Sequence, residues 1–95
     1  MSPDCDCWGF NDYPVVPDIG IAASFDPVAI DQACVEMVIA SPAMPGSRIC
    51  EDHTNGDMKG SDKFSLTHPD TFWQAGLEHA EKIGLGSREY DLVEV

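Results

Sequence analysis

Residues 15–41, VVPDIGIAASFDPVAIDQACVEMVIAS, constrain the fold of this chain more than any other stretch. Residues 19–23 form a short apolar run between turn-forming residues, which is typical of a buried strand. Asp26 then follows a corner, where its carboxylate can accept hydrogen bonds from the unpaired N–H groups of a helix N-terminus. Pro27 suits the first helical position, and apolar residues recur behind it at helical spacing. The stretch therefore predicts a strand followed by a helix over Pro27–Ala40.

The remainder of the chain predicts a second helix and a second strand. Residues 47–66 are polar with two glycines and predict a long loop. A second helix is expected to begin near Pro69 and to end before Gly84, a natural left-handed residue after a helix. Residues 90–95 alternate between polar and apolar and predict a final strand.

This order of elements predicts one α/β (or α+β) domain over residues 1–95, strand–helix–long loop–helix–strand, with two main helices packed on a small sheet. Two strands alone make a poor sheet. Either the N-terminal segment or the long loop adds strands, or the domain completes a larger sheet.

The charge of the chain is strongly negative. Seventeen acidic residues against five basic ones give a formal net charge of −12, which disfavours nucleic acid as a partner because phosphates are repelled by such a surface. No stretch of about 18 apolar residues occurs, so no membrane span is expected. The N-terminus lacks a basic segment followed by an apolar one, so we expect no secretory signal and a cytoplasmic location. The four cysteines are then expected to stay reduced.

Five short motifs carry a resemblance to a known family and are spread over nearly the whole chain. They are CDC at residues 5–7, VVPDIGIAASFDPVAIDQA at 15–33, DKF at 62–64, HP at 68–69 and EKIGLGSREY at 81–90. Together, and in this order, they resemble the C-terminal part of a large family of uncharacterised iron–sulfur-centre proteins of bacteria and archaea.

The resemblance implies that the chain is the C-terminal fragment of a larger iron–sulfur protein and supports redox or metal chemistry located mostly elsewhere. Fuller family members hold their clusters in ferredoxin-type cysteine runs, and this chain has no Cys-x-x-Cys-x-x-Cys run. The resemblance thus implies an iron–sulfur cluster in the full-length family but not in this piece alone. It implies the remainder of the larger protein, or a second copy of this chain, as the partner. The family's reaction is not established, so no particular activity is implied.

Cys5 and Cys7 are the best candidates for metal ligands. Two thiolates one residue apart can bind one soft metal ion, such as zinc or iron. Cys50 and His53 are weaker candidates that would complete a set of three cysteines and one histidine, although nothing in the sequence brings them near the first pair. Asp18 has no evident local role and is a weaker candidate for a cation ligand. The alternative is that the first pair are reduced loop thiols and the second loop is unrelated.

The other polar or thiol residues are expected to be structural. Cys34 lies on the apolar face of the first predicted helix and is expected to be a small core residue. No Ser–His–Asp order, phosphate loop or paired carboxylates occur, so no catalytic residue is predicted and enzymatic activity is left open. Two further functions remain as alternatives: a small independent metal-binding module that uses Cys5 and Cys7, or a purely structural or assembly domain. The second follows from the wide apolar stripe of the first helix.

Overall fold

The computed structural model describes residues 1–50 and 58–95. These ranges contain three helices, α1 (Pro27–Ala40), α2 (Lys63–Thr67) and α3 (Trp73–Lys82), and neither range contains a strand. The predicted α/β (or α+β) fold, with two helices packed on a small sheet, is therefore wrong, because the described part of the protein is helical.

Both predicted strands lie on the surface as unpaired chain. In residues 19–23, Ile19 is 49% exposed and Ile21 is 103% exposed. Gly20 between them has a φ angle of 153°, which residues with a side chain rarely adopt. Residues 90–95 are also mostly exposed. The physical reason is that a strand needs neighbours to satisfy its N–H and C=O groups, and two short segments cannot supply an independent sheet.

Helix α1 confirms both its predicted bounds and its predicted cap. Asp26 Oδ1 accepts hydrogen bonds from the backbone N–H groups of Val28 at 2.9 Å and Ala29 at 3.0 Å. Pro27 occupies the first helical position, where a missing N–H costs nothing. With 14 residues, α1 is the longest described helix, and no described helix is long and apolar enough to cross a membrane.

Asp26 also joins the start of α1 to the C-terminal segment. Its Oδ2 accepts a hydrogen bond from the backbone N–H of Ser87 at 3.0 Å. Gly86 approaches so closely that a Cβ atom there would lie 2.0 Å from Asp26 Oδ1. The hydrogen bonds from Ala29 and then Ser87 lower the pKa of Asp26 because they stabilise its charged form.

Helix α2 lies mostly within residues 47–66, which the sequence predicts as a loop. Asp62 forms its N-terminal cap, and its Oδ1 accepts from the N–H groups of Phe64 at 3.0 Å and Ser65 at 3.2 Å. The other oxygen, Oδ2, accepts from the indole Nε1 of Trp73 at 3.0 Å. Asp62 therefore fixes α3 against α2.

Helix α3 begins later than predicted, at Trp73, but ends as predicted. Gly84 adopts a left-handed φ of 84° and its N–H bonds to the carbonyl of Glu81 at 3.1 Å. The N–H of Leu85 bonds to the carbonyl of Ala80 at 3.0 Å. This pair of bonds is a Schellman motif, which satisfies carbonyls left without partners at the helix end.

The core is small and forms around the N-terminal segment. Val15 and Val16 are 0% and 1% exposed. The N–H of Val15 donates to the carbonyl of Met1 at 2.8 Å, and the N–H of Met44 donates to the carbonyl of Val15 at 2.8 Å. The other buried hydrophobic residues are Val28, Ala29, Ala33, Ala43 and Cys50.

One lysine is fully buried at the C-terminal end of α1. Lys63 is 0% exposed, and its Nζ donates to the carbonyls of Ile39 at 2.5 Å and Ser41 at 2.6 Å. A cation is favoured at this end of a helix because the terminal carbonyls are partly negative and lack helical partners. Lys63 therefore ties α2 to the end of α1.

An open apolar groove of about 560 Å³ lies between α1 and α3. Val35 lines it from α1, and Trp73 and Leu77 line it from α3. Cys34 also lines the groove and is only half-buried. The prediction that Cys34 is a core residue is thus confirmed only in part.

Candidate thiol site

Cys5 and Cys7 bring their sulfur atoms together on an exposed turn. The two Sγ atoms are 2.8 Å apart, and both residues are exposed. The N–H of Trp8 donates to the carbonyl of Cys5 at 2.9 Å, which closes a four-residue turn around Asp6 and Cys7. The spacing of one residue is therefore enough to place both thiols at one point on the surface.

The side chain of Asn11 holds this turn from behind. Its Oδ1 accepts from the N–H of Asp4 at 3.1 Å, while its Nδ2 donates to the carbonyls of Asp4 at 3.1 Å and Cys5 at 3.3 Å. The N–H of Asn11 also donates to the carbonyl of Trp8 at 3.2 Å. The side-chain amide therefore fixes the chain at Asp4 and Cys5, and the backbone N–H of Asn11 fixes it at Trp8, after the second thiol.

The turn is also attached to the body of the protein through Asp4. Its Oδ2 accepts from Arg48 Nη2 at 2.9 Å, and its Oδ1 lies 3.4 Å from His68 Nε2. His68 Nε2 is also 2.5 Å from the carbonyl oxygen of Pro3, to which it can only donate. These contacts are half-exposed and add little stability by themselves. Their effect is to orient the thiol turn.

The contact between the two thiols affects the ionisation of Cys5. The hydrogen bond from the Cys7 side chain, together with one from its backbone, lowers the pKa of Cys5. The thiolate is the form that binds metals and reacts as a nucleophile, so the geometry favours the reactive form of Cys5.

The weaker metal candidates are not brought to this turn. Cys50 is 2% exposed and belongs to the core. Asp18 is exposed and lies in the extended segment after Val16. His53 falls outside the described residues. Within residues 1–50 and 58–95, no group of three or more Cys, His, Asp or Glu side chains is placed to hold a metal ion.

The residues present match half of the ligand set of an ordinary iron–sulfur cluster. Such a cluster takes four cysteine thiolates, and the described structure brings together the sulfurs of Cys5 and Cys7. Cys34 lies in the wall of the groove and Cys50 in the core. Any cluster at this turn would need ligands from another chain or another part of a longer protein.

Sequence reasoning missed the residues that support the turn. Asn11 has a local signal, since asparagine in a Pro-, Asp- and Gly-rich stretch commonly bonds nearby backbone. Arg48 and His68 have no such signal, because Arg48 reaches Asp4 from 44 residues along the chain and His68 reaches it from the C-terminal end of α2. Their role depends on the tertiary fold.

The thiol turn lies in the part of the chain that is similar to a known family. Residues 1–36 match the family described as Domain of unknown function (DUF362). This match covers the thiol turn, the extended segment and the first part of α1. No curated protein and no solved structure matches the chain. Since the function of that domain is unknown, the iron–sulfur association and the C-terminal placement implied by the resemblance remain proposals.

Proposed function

We propose that this chain supplies Cys5 and Cys7 as two thiolate ligands to a soft metal centre, as a domain of a larger cytoplasmic redox or metal protein. The observation that carries the proposal is the convergence of the two sulfurs, 2.8 Å apart, on an exposed and hydrogen-bonded turn. The partial match to a family domain, residues 1–36, includes this turn. A reducing compartment such as the cytoplasm would keep both thiols available.

The turn needs only a small change to bind a metal ion. In a tetrahedral zinc site with Zn–S bonds near 2.3 Å, two sulfurs lie about 3.8 Å apart. The thiols of Cys5 and Cys7 therefore have to separate by about 1 Å, which rotation of two exposed side chains can provide. Asn11 keeps the backbone in place while this happens.

The remaining ligands would come from outside this turn. The remainder of a larger iron–sulfur protein, or a second copy of the chain, could provide them. The first case gives a cluster or a mixed zinc or iron site at a domain boundary. The second gives a metal-linked dimer with two thiolates from each copy, which matches the four-thiolate sites of zinc and of iron.

The test is metal content beside oligomeric state, measured on protein purified without chelator. We expect one zinc or iron ion per pair of chains where a second copy supplies the other ligands, or one per chain where added ligands supply them. The double variant Cys5→Ser, Cys7→Ser should lose this metal. Cys34→Ser is the matched control and should retain the metal, because Cys34 lines the groove. Stoichiometric metal in the double variant contradicts the proposal, and so does the absence of metal from the unaltered protein after loading under reducing conditions with added thiol ligands.

Asn11→Ala tests the positioning part of the proposal. Without the amide, three backbone hydrogen bonds that fix the turn are lost. We expect weaker metal binding with the same thiolate-to-metal charge-transfer absorption spectrum, because the ligands themselves are unchanged. An unaltered affinity would show that the turn does not need this support.

A further inference from the structure

The two sulfurs are also placed for chemistry with each other. A disulfide bond is about 2.05 Å long, and the Sγ atoms of Cys5 and Cys7 are already 2.8 Å apart. Both thiols are exposed, so a disulfide on another molecule can reach them from solvent. The other two cysteines are less accessible, since Cys34 is half-buried and Cys50 is buried.

We propose that Cys5 and Cys7 form a dithiol–disulfide couple that reduces disulfides by thiol–disulfide exchange, with a preference for cationic ones. This activity goes beyond metal binding and requires no metal. It uses the contact between the two sulfurs, the exposure of both and the negative charge around them.

The exchange is balanced between the protein and its substrate. One thiolate attacks a sulfur of the substrate, the substrate S–S bond breaks, and the first half leaves as a thiolate that takes up a proton. The second protein thiolate then attacks the protein sulfur of the mixed disulfide and expels the other half. The protein loses two electrons and two protons, and the substrate disulfide gains them as two thiols.

Electrostatics select the class of disulfide. Asp6 lies between the two cysteines and is exposed, and Asp4 precedes them. The nearby cation Arg48 is paired with Asp4 at 2.9 Å, and the whole chain has a formal net charge of −12. This field repels anionic disulfides and attracts cationic ones, so the fitting substrate is a basic protein or a small cationic disulfide.

The experiment uses the full chain, reduced and treated with chelator, and three disulfide probes that differ in charge: cationic cystamine, neutral hydroxyethyl disulfide and anionic oxidised glutathione. Chymotryptic cleavage after Trp8 leaves both reactive cysteines in fragment 1–8. We expect this fragment to become two hydrogens lighter with no adduct, while Cys34 and Cys50 stay reduced. Cys5→Ser and Cys7→Ser should each retain a mixed disulfide, because the resolving thiol is missing.

The rates test the charge selection. The rate of the protein with each probe is divided by the rate of a small neutral thiol with the same probe. This division removes differences in the intrinsic reactivity of the probes. At low salt we expect cystamine to react about tenfold faster than oxidised glutathione, and the ratio to fall towards one at about 1 M salt. Asp6→Asn should reduce the ratio, whereas the control Asp91→Asn, which changes the net charge equally in the C-terminal segment, should not.

Three results would overturn the proposal: a persistent adduct on unaltered fragment 1–8, no reaction at Cys5 or Cys7 while the small thiol reacts, or a ratio that salt does not change. None of these bears on metal binding, because the chain is metal-free throughout. Conversely, failure to bind metal leaves the exchange reaction untouched. The two proposals therefore fail independently.

Discussion

Replacing Lys63 with Met should destabilise the fold more than replacing an exposed charged residue. The Lys63 ammonium is fully buried and donates to the carbonyls of Ile39 and Ser41, where α1 ends. Methionine has similar length and no charge, so Lys63→Met removes the donor while largely keeping the packing.

The magnitude follows from what each carbonyl retains. The carbonyl of Ile39 still accepts a hydrogen bond from the N–H of Gly60 at 2.8 Å, so it loses only one of its hydrogen bonds. The carbonyl of Ser41 lies in a buried bond, and a buried acceptor without a partner costs about 1–3 kcal/mol. Loss of the favourable cation at the helix C-terminus adds roughly 0.3–1 kcal/mol.

The variant no longer has to bury an ammonium group, which offsets part of this loss. Replacing a buried ion pair by apolar residues is often neutral for that reason. Here, however, two of the partners are the backbone carbonyls of Ile39 and Ser41, which no side-chain substitution removes, so both stay in place without this donor. We therefore expect a net loss of about 1–3 kcal/mol, a substantial part of the roughly 5–15 kcal/mol that stabilises a domain.

The assay is urea denaturation followed by far-ultraviolet circular dichroism, at one pH and salt concentration. Lys82→Met is the matched control, because Lys82 is exposed in the last turn of α3, and it should cost less than about 1 kcal/mol. Equal midpoints for the two variants would show that water satisfies the carbonyl of Ser41. The reasoning about Lys63 would then be refuted.

Three further outcomes can be measured with the same assay. Gly86→Ala should lower the midpoint, because a Cβ there would lie 2.0 Å from Asp26 Oδ1; an unchanged midpoint would mean that the C-terminal segment moves freely away. Gly76→Ala should instead raise stability by about 1 kcal/mol, since alanine favours helix and nothing lies within 4 Å of the new Cβ; a lower midpoint would reveal a packing role. Bonds from Ala29 and then Ser87 lower the pKa of Asp26, so its contribution is present above the unfolded value of 3.8 and is lost as pH falls through the lower folded pKa. Asp26→Asn should flatten this part of the stability profile, and an identical acid limb in that variant would assign it to other carboxylates.

The sequence predicts α1 correctly because every signal for it is local. The capping carboxylate of Asp26, the proline at the first turn and the residues that end the helix all lie within a few positions of its ends. The same holds for the end of α3, where Gly84 alone indicates the left-handed turn. Short-range chemistry of this kind needs no knowledge of the rest of the fold.

The two predicted strands fail because a sheet is a non-local structure. Residues 19–23 and 90–95 have the composition and alternation of strands, yet each is exposed in the described structure. Their apolar side chains would be buried only if other strands were present. The periodicity of a segment predicts how it can pair and does not supply the partner.

The candidate site likewise combines features set by local sequence with features set by the tertiary fold. The contact between Cys5 and Cys7 follows from their spacing and a tight turn, both of which are visible in the sequence. The support from Arg48 requires a contact across 44 residues, and the burial of Cys50 depends on the whole core. The second pair of predicted ligands could not be judged from spacing alone for that reason.

Metal binding and disulfide exchange would use the same sulfur lone pairs of Cys5 and Cys7, which gives a final prediction. A bound soft metal uses the sulfur lone pairs and holds the two Sγ atoms about 3.8 Å apart in a tetrahedral site. Disulfide formation requires them about 2.05 Å apart, so one protein molecule cannot do both.

Metal should therefore protect the thiols from exchange in proportion to occupancy. With free zinc at 100 times its dissociation constant, about 1% of the protein is metal-free, so the reaction with cystamine should slow about 100-fold. Adding chelator should restore the full rate. Slowing without any bound metal would indicate zinc acting on the disulfide probe, and a zinc-loaded protein that reacts at the metal-free rate would place the metal away from Cys5 and Cys7.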